Sequence, residues 1–229
     1  MKPSRHRPLL HLAALIGTLG TAAPGAAQVG HDPATSPYRD IRRSTFLVLS
    51  GGRFLGSGGA VGVAPHGGNV YGLRMSFLAN RTIQLSAGGF YGMLSRSIYD
   101  PAEPADERIV GTTDTDVLWI DAAIHFNLTG GKTWHRLAPF AGAAAGLAFS
   151  ENLPDDPASF KMGTKFFLAP VLGVRFFLGQ RLALQAESRF NFWQIKYTTA
   201  FVQEAIESSE WSVSPWLNLG LAWAFDWPF

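Results

Sequence analysis

The amino-acid sequence predicts an all-β fold, a closed antiparallel up-and-down transmembrane β-barrel of about eight strands. Three observations predict it. Apolar side chains recur at every second position in several segments, the connections between these segments alternate between short and long, and charged side chains stand mid-segment opposite the apolar face. A strand produces this pattern because its successive side chains point to opposite faces of the sheet.

The first part of the chain, 1–27, is predicted to be a signal peptide. Lys2, Arg5 and Arg7 give it a positively charged start. The apolar run 9–19 has about 11 residues, the length of a signal-peptide core, and small residues follow it. A membrane-spanning helix needs roughly 20 apolar residues, so this run is too short to cross a bilayer. We therefore expect export through the general secretory route.

Charge and composition exclude several classes of function. The chain has 19 Lys and Arg against 17 Asp and Glu. Three of the bases lie in the predicted leader, which leaves 16 against 17 and removes the basic surplus that nucleic-acid binding needs. The chain has no cysteine, so no disulfide framework supports it. It also has no phosphate-binding glycine motif and no Cys/His metal cluster, and we expect no cofactor.

After the leader, the polar, proline-containing stretch 28–40 is predicted to be a flexible periplasmic lead-in. The remainder, 41–229, is predicted to be the barrel domain. Its strands are predicted, in chain order, at 43–55, 70–78, 82–96, 117–128, 137–149, 164–178, 182–192 and from 211 onward. The first and fifth of these are rich in Gly and Ala or ambiguous in phase.

The last strand has the clearest alternation. From Trp211, odd positions are mostly large and apolar, and even positions are mostly small or polar. In 117–128, Ile120 and its apolar neighbours oppose Asp121 and His125, and the other well-phased segments divide in the same way. A soluble sandwich would direct its polar face to water. Here the apolar face is broad, with aromatic residues near strand ends, which is typical of a barrel facing lipid.

The connections alternate in length. Short connections are predicted at 79–81, 129–136 and 179–181, and longer ones at 56–69, 97–113, 151–161 and 199–210. Outer-membrane barrels have short periplasmic turns and longer external loops. The long loops are acidic, whereas the short turns carry Arg81, Lys132, Arg136 and Arg181 and no acid.

The C-terminal stretch 221–229 resembles the assembly signal of outer-membrane proteins, in which apolar or aromatic residues alternate up to a terminal Phe. The residues that carry this resemblance are Trp223, Phe225, Trp227 and Phe229. The stretches 137–146 and 172–189 are similar to the small outer-membrane β-barrel domain family. The resemblance implies an outer-membrane location, contact with membrane lipid and lipopolysaccharide, and handling by periplasmic chaperones and the barrel-assembly machinery during export.

Charged side chains on the polar face are predicted to form a network inside the barrel. The predicted members are Arg74, Asp121, His125, Lys165, Arg175, Glu187, Arg189 and Asp226. An eight-stranded barrel is just wide enough for its side chains to fill, which favours a packed, paired network. The alternative is the lining of a pore.

Three classes of function follow. The first is a structural or surface-interaction barrel, serving envelope integrity or loop-mediated binding. The second is a narrow pore or carrier for small or hydrophobic solutes, which the Gly/Ala-rich segment 137–149 supports. The third is an enzyme that modifies lipid A. It is disfavoured because Asp121 and His125 lie about 13 Å apart along one strand. In addition, Asn127 stands where the lipid A deacylase type has a serine two residues after its histidine.

Overall fold

The computed structural model describes residues 35–151, 156–204 and 208–226, without the side chains of 202–204. Ten strands lie in this part of the chain. They are β1 (Tyr38–Asp40), β2 (Thr45–Phe54), β3 (Gly68–Leu78), β4 (Ile83–Tyr99), β5 (Ile109–Asn127), β6 (Lys132–Trp134), β7 (Leu137–Ser150), β8 (Thr164–Phe177), β9 (Leu182–Lys196) and β10 (Ser209–Phe225).

Eight long strands close into a ring. Each pairs antiparallel with its sequence neighbour among the long strands, and β10 returns to pair with β2. The seam between β2 and β10 is fully registered, from Trp216 opposite Phe54 to Phe225 opposite Thr45. The ring has no free edge, so its backbone hydrogen bonds are satisfied within the sheet, as a bilayer requires. The predicted closed up-and-down barrel is confirmed.

The outer face of the ring is apolar. Leu219 is 71 % exposed, Leu172 57 % and Ile120 54 %, and all three lie near the middle of their strands. Apolar side chains at this exposure all around a closed sheet form the lipid-facing belt of a transmembrane barrel. The structure therefore places the predicted apolar faces outward.

The short connections and the long ones lie at opposite ends of the ring. We call the end with the short connections, near Thr45 and Phe225, the turn end, and the opposite end the loop end. A 3-10 helix, Thr199–Glu204, lies in the last loop. Among the described residues, no helix has the length and apolar character needed to cross a membrane.

Three predicted boundaries were wrong. The loop predicted at 97–113 is confined to 100–108, because β4 continues to Tyr99 and β5 begins at Ile109, and the extension of β5 carries polar residues on both faces at 112–116. The predicted turn 129–136 contains the short strand β6. The predicted flexible lead-in is partly ordered, because β1 pairs with β6, with Tyr38 opposite Trp134. The predicted signal peptide and positions 28–34 lie outside the described residues.

The lipid-facing assignment predicts a depth-dependent cost for a charge on β5. We expect Ile120→Arg, at mid-strand, to lower the free energy of unfolding by about 2–4 kcal/mol. Val110→Arg, an equally exposed position near the loop end of the same strand, should cost about 0–1 kcal/mol. Urea unfolding of protein refolded into lipid vesicles measures both values, and equal costs would show that Ile120 does not face hydrocarbon.

Candidate functional site in the barrel lumen

Five of the predicted network residues meet inside the barrel. These five residues lie on β3, β5, β8 and β9 at positions opposite the apolar face. Because successive side chains of a strand point to opposite faces, the five side chains point into the barrel. All five are almost completely buried. They are Arg74, Asp121, Arg175, Glu187 and Arg189, and we call them the lumen charge cluster.

Asp121 and Glu187 lie between Arg74 and Arg189. Arg74 Nη2 donates to both oxygens of Asp121, at 2.8 and 2.9 Å. Arg189 donates through Nη1 to Asp121 Oδ2 and through Nε to Glu187 Oε1, each at 2.5 Å. Arg74 Nη1 also lies 3.5 Å from Glu187 Oε1. Each carboxylate therefore faces two guanidinium groups, which offsets the cost of removing these charges from water.

Arg175 bonds two glutamines, and one of them, Gln185, connects it to Glu187. Its Nε donates to Gln185 Oε1 at 2.8 Å, and its Nη1 donates to Gln84 Oε1 at 2.6 Å. Gln185 in turn donates to Glu187 Oε2 at 3.0 Å. The two glutamines were not among the predicted residues. Their positions on the polar faces of β4 and β9 are the sequence signal that places them in the lumen.

Aromatic rings lie against the guanidinium groups. Phe90 lies 5.0 Å from Arg74 Cζ and 4.8 Å from Arg189 Cζ, and Phe140 lies 4.8 Å from Arg175 Cζ. These contacts add cation–π attraction where water is excluded. Glycines make room for the rings, because a Cβ at Gly72 would lie 1.9 Å from the Phe90 ring and one at Gly173 would lie 2.3 Å from the Phe140 ring.

The cluster leaves little free space. The cavity beside it, between Arg74, Phe90 and Glu187, has a volume of about 10 Å³. That is about the space of one water molecule. The side chains also reach across the ring, since Arg175 on β8 bonds Gln84 on β4 and Arg189 on β9 bonds Asp121 on β5. The lumen is filled at this level.

His125 is buried nearby but is not bonded to the cluster. Its ring lies 5.1 Å from the ring of Phe140, and neither of its nitrogens has a hydrogen-bond partner among the described residues. Asp121, which shares its strand face, is bonded instead to Arg74 and Arg189. The described contacts therefore place no carboxylate or hydroxyl on His125, as an acid–base pair would require.

The prediction that Lys165 and Asp226 belong to the lumen network was wrong. Asp226 is 63 % exposed at the turn end, where it pairs with Arg43 at 2.5 Å. Lys165 is half-buried near the loop end of β8, one residue from the strand's start. Both have the predicted alternation, but they stand too close to strand ends to reach the centre. Of the predicted assembly residues, Trp223 and Phe225 lie on β10, with Trp223 facing outward, whereas Trp227 and Phe229 lie outside the described residues.

An aromatic layer covers the cluster on its loop side. Trp119 stacks with Trp193 at 6.5 Å and an angle of 16°, and it lies 5.3 Å from Trp216. Phe54 packs against both Trp119 and Trp193 at under 6 Å. The inward positions of four strands supply these rings. Together they form a second, apolar barrier across the lumen.

The loops fold inward above this layer. Phe201, in the 3-10 helix, packs on Tyr99 at 4.8 Å and on Tyr197 at 5.5 Å. Arg96 forms a buried ion pair with Asp156 and lies 5.5 Å from the ring of Phe160. This pair was not predictable from the sequence, because Asp156 lies in an acidic loop that is distant from Arg96 along the chain.

The first long loop, 55–67, is bonded to the barrel wall. The amide of Ala60 donates to Glu210 Oε1 at 2.8 Å and to Tyr197 Oη at 3.0 Å. Tyr197 itself donates to Glu210 at 2.6 Å. Burial, followed by this hydrogen bond to Glu210, raises the pKa of Tyr197 above its ordinary value, so the phenol stays protonated and donates.

No group of three or more metal-ligating side chains occurs among the described residues. In the lumen site, both carboxylates are paired with arginines and Arg175 is bonded to glutamines, whereas Arg74 Nε, Arg189 Nη2 and Gln84 Nε2 have no partner among the described residues. Chemically, the bonds that cross the ring can hold opposite strands at fixed separations.

The cluster predicts that removing one buried charge is costly. Asp121→Asn keeps the shape of the side chain but removes the negative charge that pairs with Arg74 and Arg189. We expect a loss of about 3 kcal/mol in the free energy of unfolding. Asp226→Asn, in the exposed pair with Arg43, should change it by less than about 1 kcal/mol. Urea unfolding followed by tryptophan fluorescence measures both, and equal small effects would contradict a desolvated cluster.

The loop contacts predict that Tyr197 holds the first long loop closed. Tyr197→Phe removes the hydroxyl that accepts from Ala60 and donates to Glu210, so amide hydrogen exchange around Ala60 should accelerate by about tenfold. Tyr91→Phe is the matched control, because the Tyr91 hydroxyl bonds Asp116 on the outer surface. Unchanged exchange at Ala60 in Tyr197→Phe would mean that other contacts hold the loop.

Comparison with known proteins rests on structure. No protein-family model matches the chain, and no curated protein sequence matches it significantly. Among solved structures, it is similar to the outer membrane protein OprG from Pseudomonas aeruginosa, with 12 % identity and a TM-score of 0.51 over 84 % of this chain and 100 % of that one.

A second similar structure is Neisserial surface protein A, with 15 % identity and a TM-score of 0.51 over 83 % of this chain and 98 % of that one. At these identities the likeness concerns the fold. The ring order and the apolar outer belt agree with it, and the chain has the fold of the small outer-membrane β-barrel proteins.

Proposed function

We propose that this protein is a non-conducting outer-membrane barrel that acts through its surfaces, as a structural component of the envelope or as a platform for contact at its loop end. The observation that carries this proposal is the filled lumen. Arg175 and Arg189 each reach a partner on a strand across the ring, and the space left beside them is about 10 Å³. A hydrated ion would have to displace these bonds to pass.

The Gly/Ala-rich strand β7 is weak support for the pore alternative. Its inward positions include Ala138, Ala144 and Ala148, all buried. Ala144 and Ala148 belong to the same buried cluster as Trp119 and Trp193 from other strands and Phe140 from β7 itself. Small residues on one strand therefore allow large ones on the others to meet, as close packing requires.

The loop end supplies the proposed contact surface. Several loops fold inward, whereas loop 100–108 turns its carboxylates outward. Glu103, Asp106 and Glu107 are exposed there, and Arg108 is held by the carbonyl of Glu103 and the hydroxyl of Tyr99. Exposed carboxylates can share divalent cations with the phosphates of lipopolysaccharide or bind a basic partner. Membrane lipid and lipopolysaccharide are thus the proposed surroundings.

An enzymatic role has less support. His125, which is buried in the lumen, contacts a phenylalanine ring, and the neighbouring carboxylates bond arginines. Such an arrangement leaves no group in the described lumen poised to activate a nucleophile.

Single-channel recording tests the proposal. The chain is refolded, its folding is verified by a heat-dependent shift on a gel, and it is inserted into a planar bilayer. We expect a gel shift and no steady openings, because the cluster and the aromatic layer both close the lumen. Steady openings from shifted protein would replace the proposal with the pore alternative.

A positive control makes silence interpretable. The double variant Trp119→Ala and Trp193→Ala removes the stacked pair from the aromatic layer but leaves the charge cluster in place, and it should remain silent. Adding Arg175→Ala and Arg189→Ala should produce openings in protein that still shows the heat shift. Openings in the first variant would mean that the cluster alone does not close the barrel.

A further inference from the structure

A cavity of about 410 Å³ opens at the turn end of the barrel and is rich in arginine. We call it the turn-end arginine pocket. Its polar walls come from Arg39, Arg42, Arg43 and Arg136, and its apolar walls include Phe177 and Leu178. The proposed function does not use this cavity, which lies at the opposite end from the folded loops.

The pocket is built by the segment that enters the barrel. β1 pairs with β6, the amide of Ile41 donates to the carbonyl of Gly131 at 2.9 Å, and Thr133 donates to the carbonyl of Arg39 at 3.3 Å. These bonds lay the segment 37–44 across the turn end. They fix three of the four arginines on one side of the pocket.

The fourth arginine is held by an unusual turn. His135 and Arg136 connect β6 to β7 with φ values of 48° and 68°, in the left-handed region that side chains other than glycine rarely adopt. The carbonyl of Arg136 accepts the amide of Phe177 at 2.9 Å, and the amide of His135 donates to Pro37. Backbone strain of this kind persists only where the surroundings impose it, and it is enriched at binding sites.

Positive charge in the pocket exceeds negative charge. One acidic residue, Asp40, lines it beside the four arginines, and Asp226 pairs with Arg43 from the rim. Arg42 and Arg136 form no ion pair with any described carboxylate, and both are exposed. A second cavity of about 520 Å³ adjoins the first at Asp40 and Ile41, and Arg81 and Lys132 line it. The whole turn end is therefore an electropositive surface.

The pocket opens at the level of the membrane surface. Trp134, Tyr38 and Trp223 are about half exposed at this end of the barrel, and Leu128 and Leu178 lie exposed on the adjoining turns. Exposed aromatic residues at the end of a transmembrane barrel mark the layer of the lipid headgroups. The exposed Arg42, Arg136 and Leu178 on the rim of the pocket are therefore at the level of the headgroup phosphates, whereas Ile41 and Phe177 pack on Phe46 and Ala224 inside the barrel mouth.

We propose that the turn-end arginine pocket binds the phosphate group of an anionic phospholipid in the adjacent leaflet. The planar guanidinium groups donate paired hydrogen bonds to phosphate oxygens, a geometry that arginine provides better than lysine. Leu178, which is exposed on the turn after β8, contacts the lipid's glycerol and the upper part of its acyl chains. Headgroups with a net negative charge bind more tightly than zwitterionic ones, because the surplus arginines attract the extra charge.

Native mass spectrometry of the refolded chain tests this proposal. The protein is equilibrated with phosphatidylglycerol and phosphatidylcholine of equal chain length, and the lipid retained is counted. We expect phosphatidylglycerol to be retained preferentially. The double variant Arg42→Gln and Arg136→Asn should weaken its retention by about tenfold or more. Asn suits the left-handed backbone at 136, so this variant removes charge without adding strain.

Arg53→Gln is the matched control. Arg53 is an exposed arginine near the loop end of β2 that donates to Asn69, and its removal should leave retention unchanged. Heat-shift gels verify that each variant is folded. Equal retention of the two lipids, or phosphatidylglycerol retention that survives the double variant, would overturn the proposal.

A titration with inorganic phosphate shows whether the pocket binds the phosphate of a lipid headgroup or free phosphate from solution. Amide signals of the pocket, followed by NMR in a phosphatidylcholine nanodisc, should shift with added phosphatidylglycerol and not with millimolar inorganic phosphate. Shifts of equal size with inorganic phosphate, lost in the double variant, would assign the pocket to free phosphate and overturn the lipid assignment. This test is independent of the proposed non-conducting function, because it uses the turn end and no measure of conductance.

Discussion

The constraint on which this structure depends is that charges inside a narrow barrel must satisfy one another. Lipid surrounds the wall, and eight strands enclose a space that side chains can fill. Asp121 and Glu187 are each approached by two guanidinium groups, and Arg175 bonds Gln84 and reaches Glu187 through Gln185. Three of these contacts, Arg175 with Gln84, Arg189 with Asp121 and Arg74 with Glu187, cross the ring. They therefore tie strands that are not neighbours in the sheet, which backbone pairing alone does not do.

Because side chains fill the centre of the barrel, the two sites that we propose lie at its two ends. At the loop end, Tyr197 and Glu210 hold the first long loop while loop 100–108 presents exposed carboxylates. At the turn end, the entering segment and a strained turn assemble arginines beside an apolar wall. The two ends have opposite charge, and a barrel with such a distribution can make different contacts on the two sides of a membrane.

Alternation made the fold predictable from sequence, because a period of two fixes which side chains face lipid wherever one face is uniformly apolar. The strand at 164–178 was placed within one residue, and Arg74, Asp121, Arg175, Glu187 and Arg189 were correctly assigned to the polar face. The partners were not predictable, because pairing across the ring depends on register and tilt. The same alternation predicted that Lys165 and Asp226 belong to the network, although both lie near strand ends and do not reach the lumen charge cluster.

The loops were least predictable. Asp156 is buried against Arg96 by contacts between segments that are distant in sequence.

The most direct test of the central claim is the exchange of guanidinium protons with water. In a lipid nanodisc, NMR resolves the Nε–H signals of Arg175 and Arg189, each of which donates to an acceptor in the lumen. A filled, desolvated lumen predicts persistent signals that exchange far more slowly than those of Arg42, which is exposed at the turn end. Exchange as fast as that of Arg42 would mean that water fills the lumen. It would contradict the account of a barrel closed by its own charges.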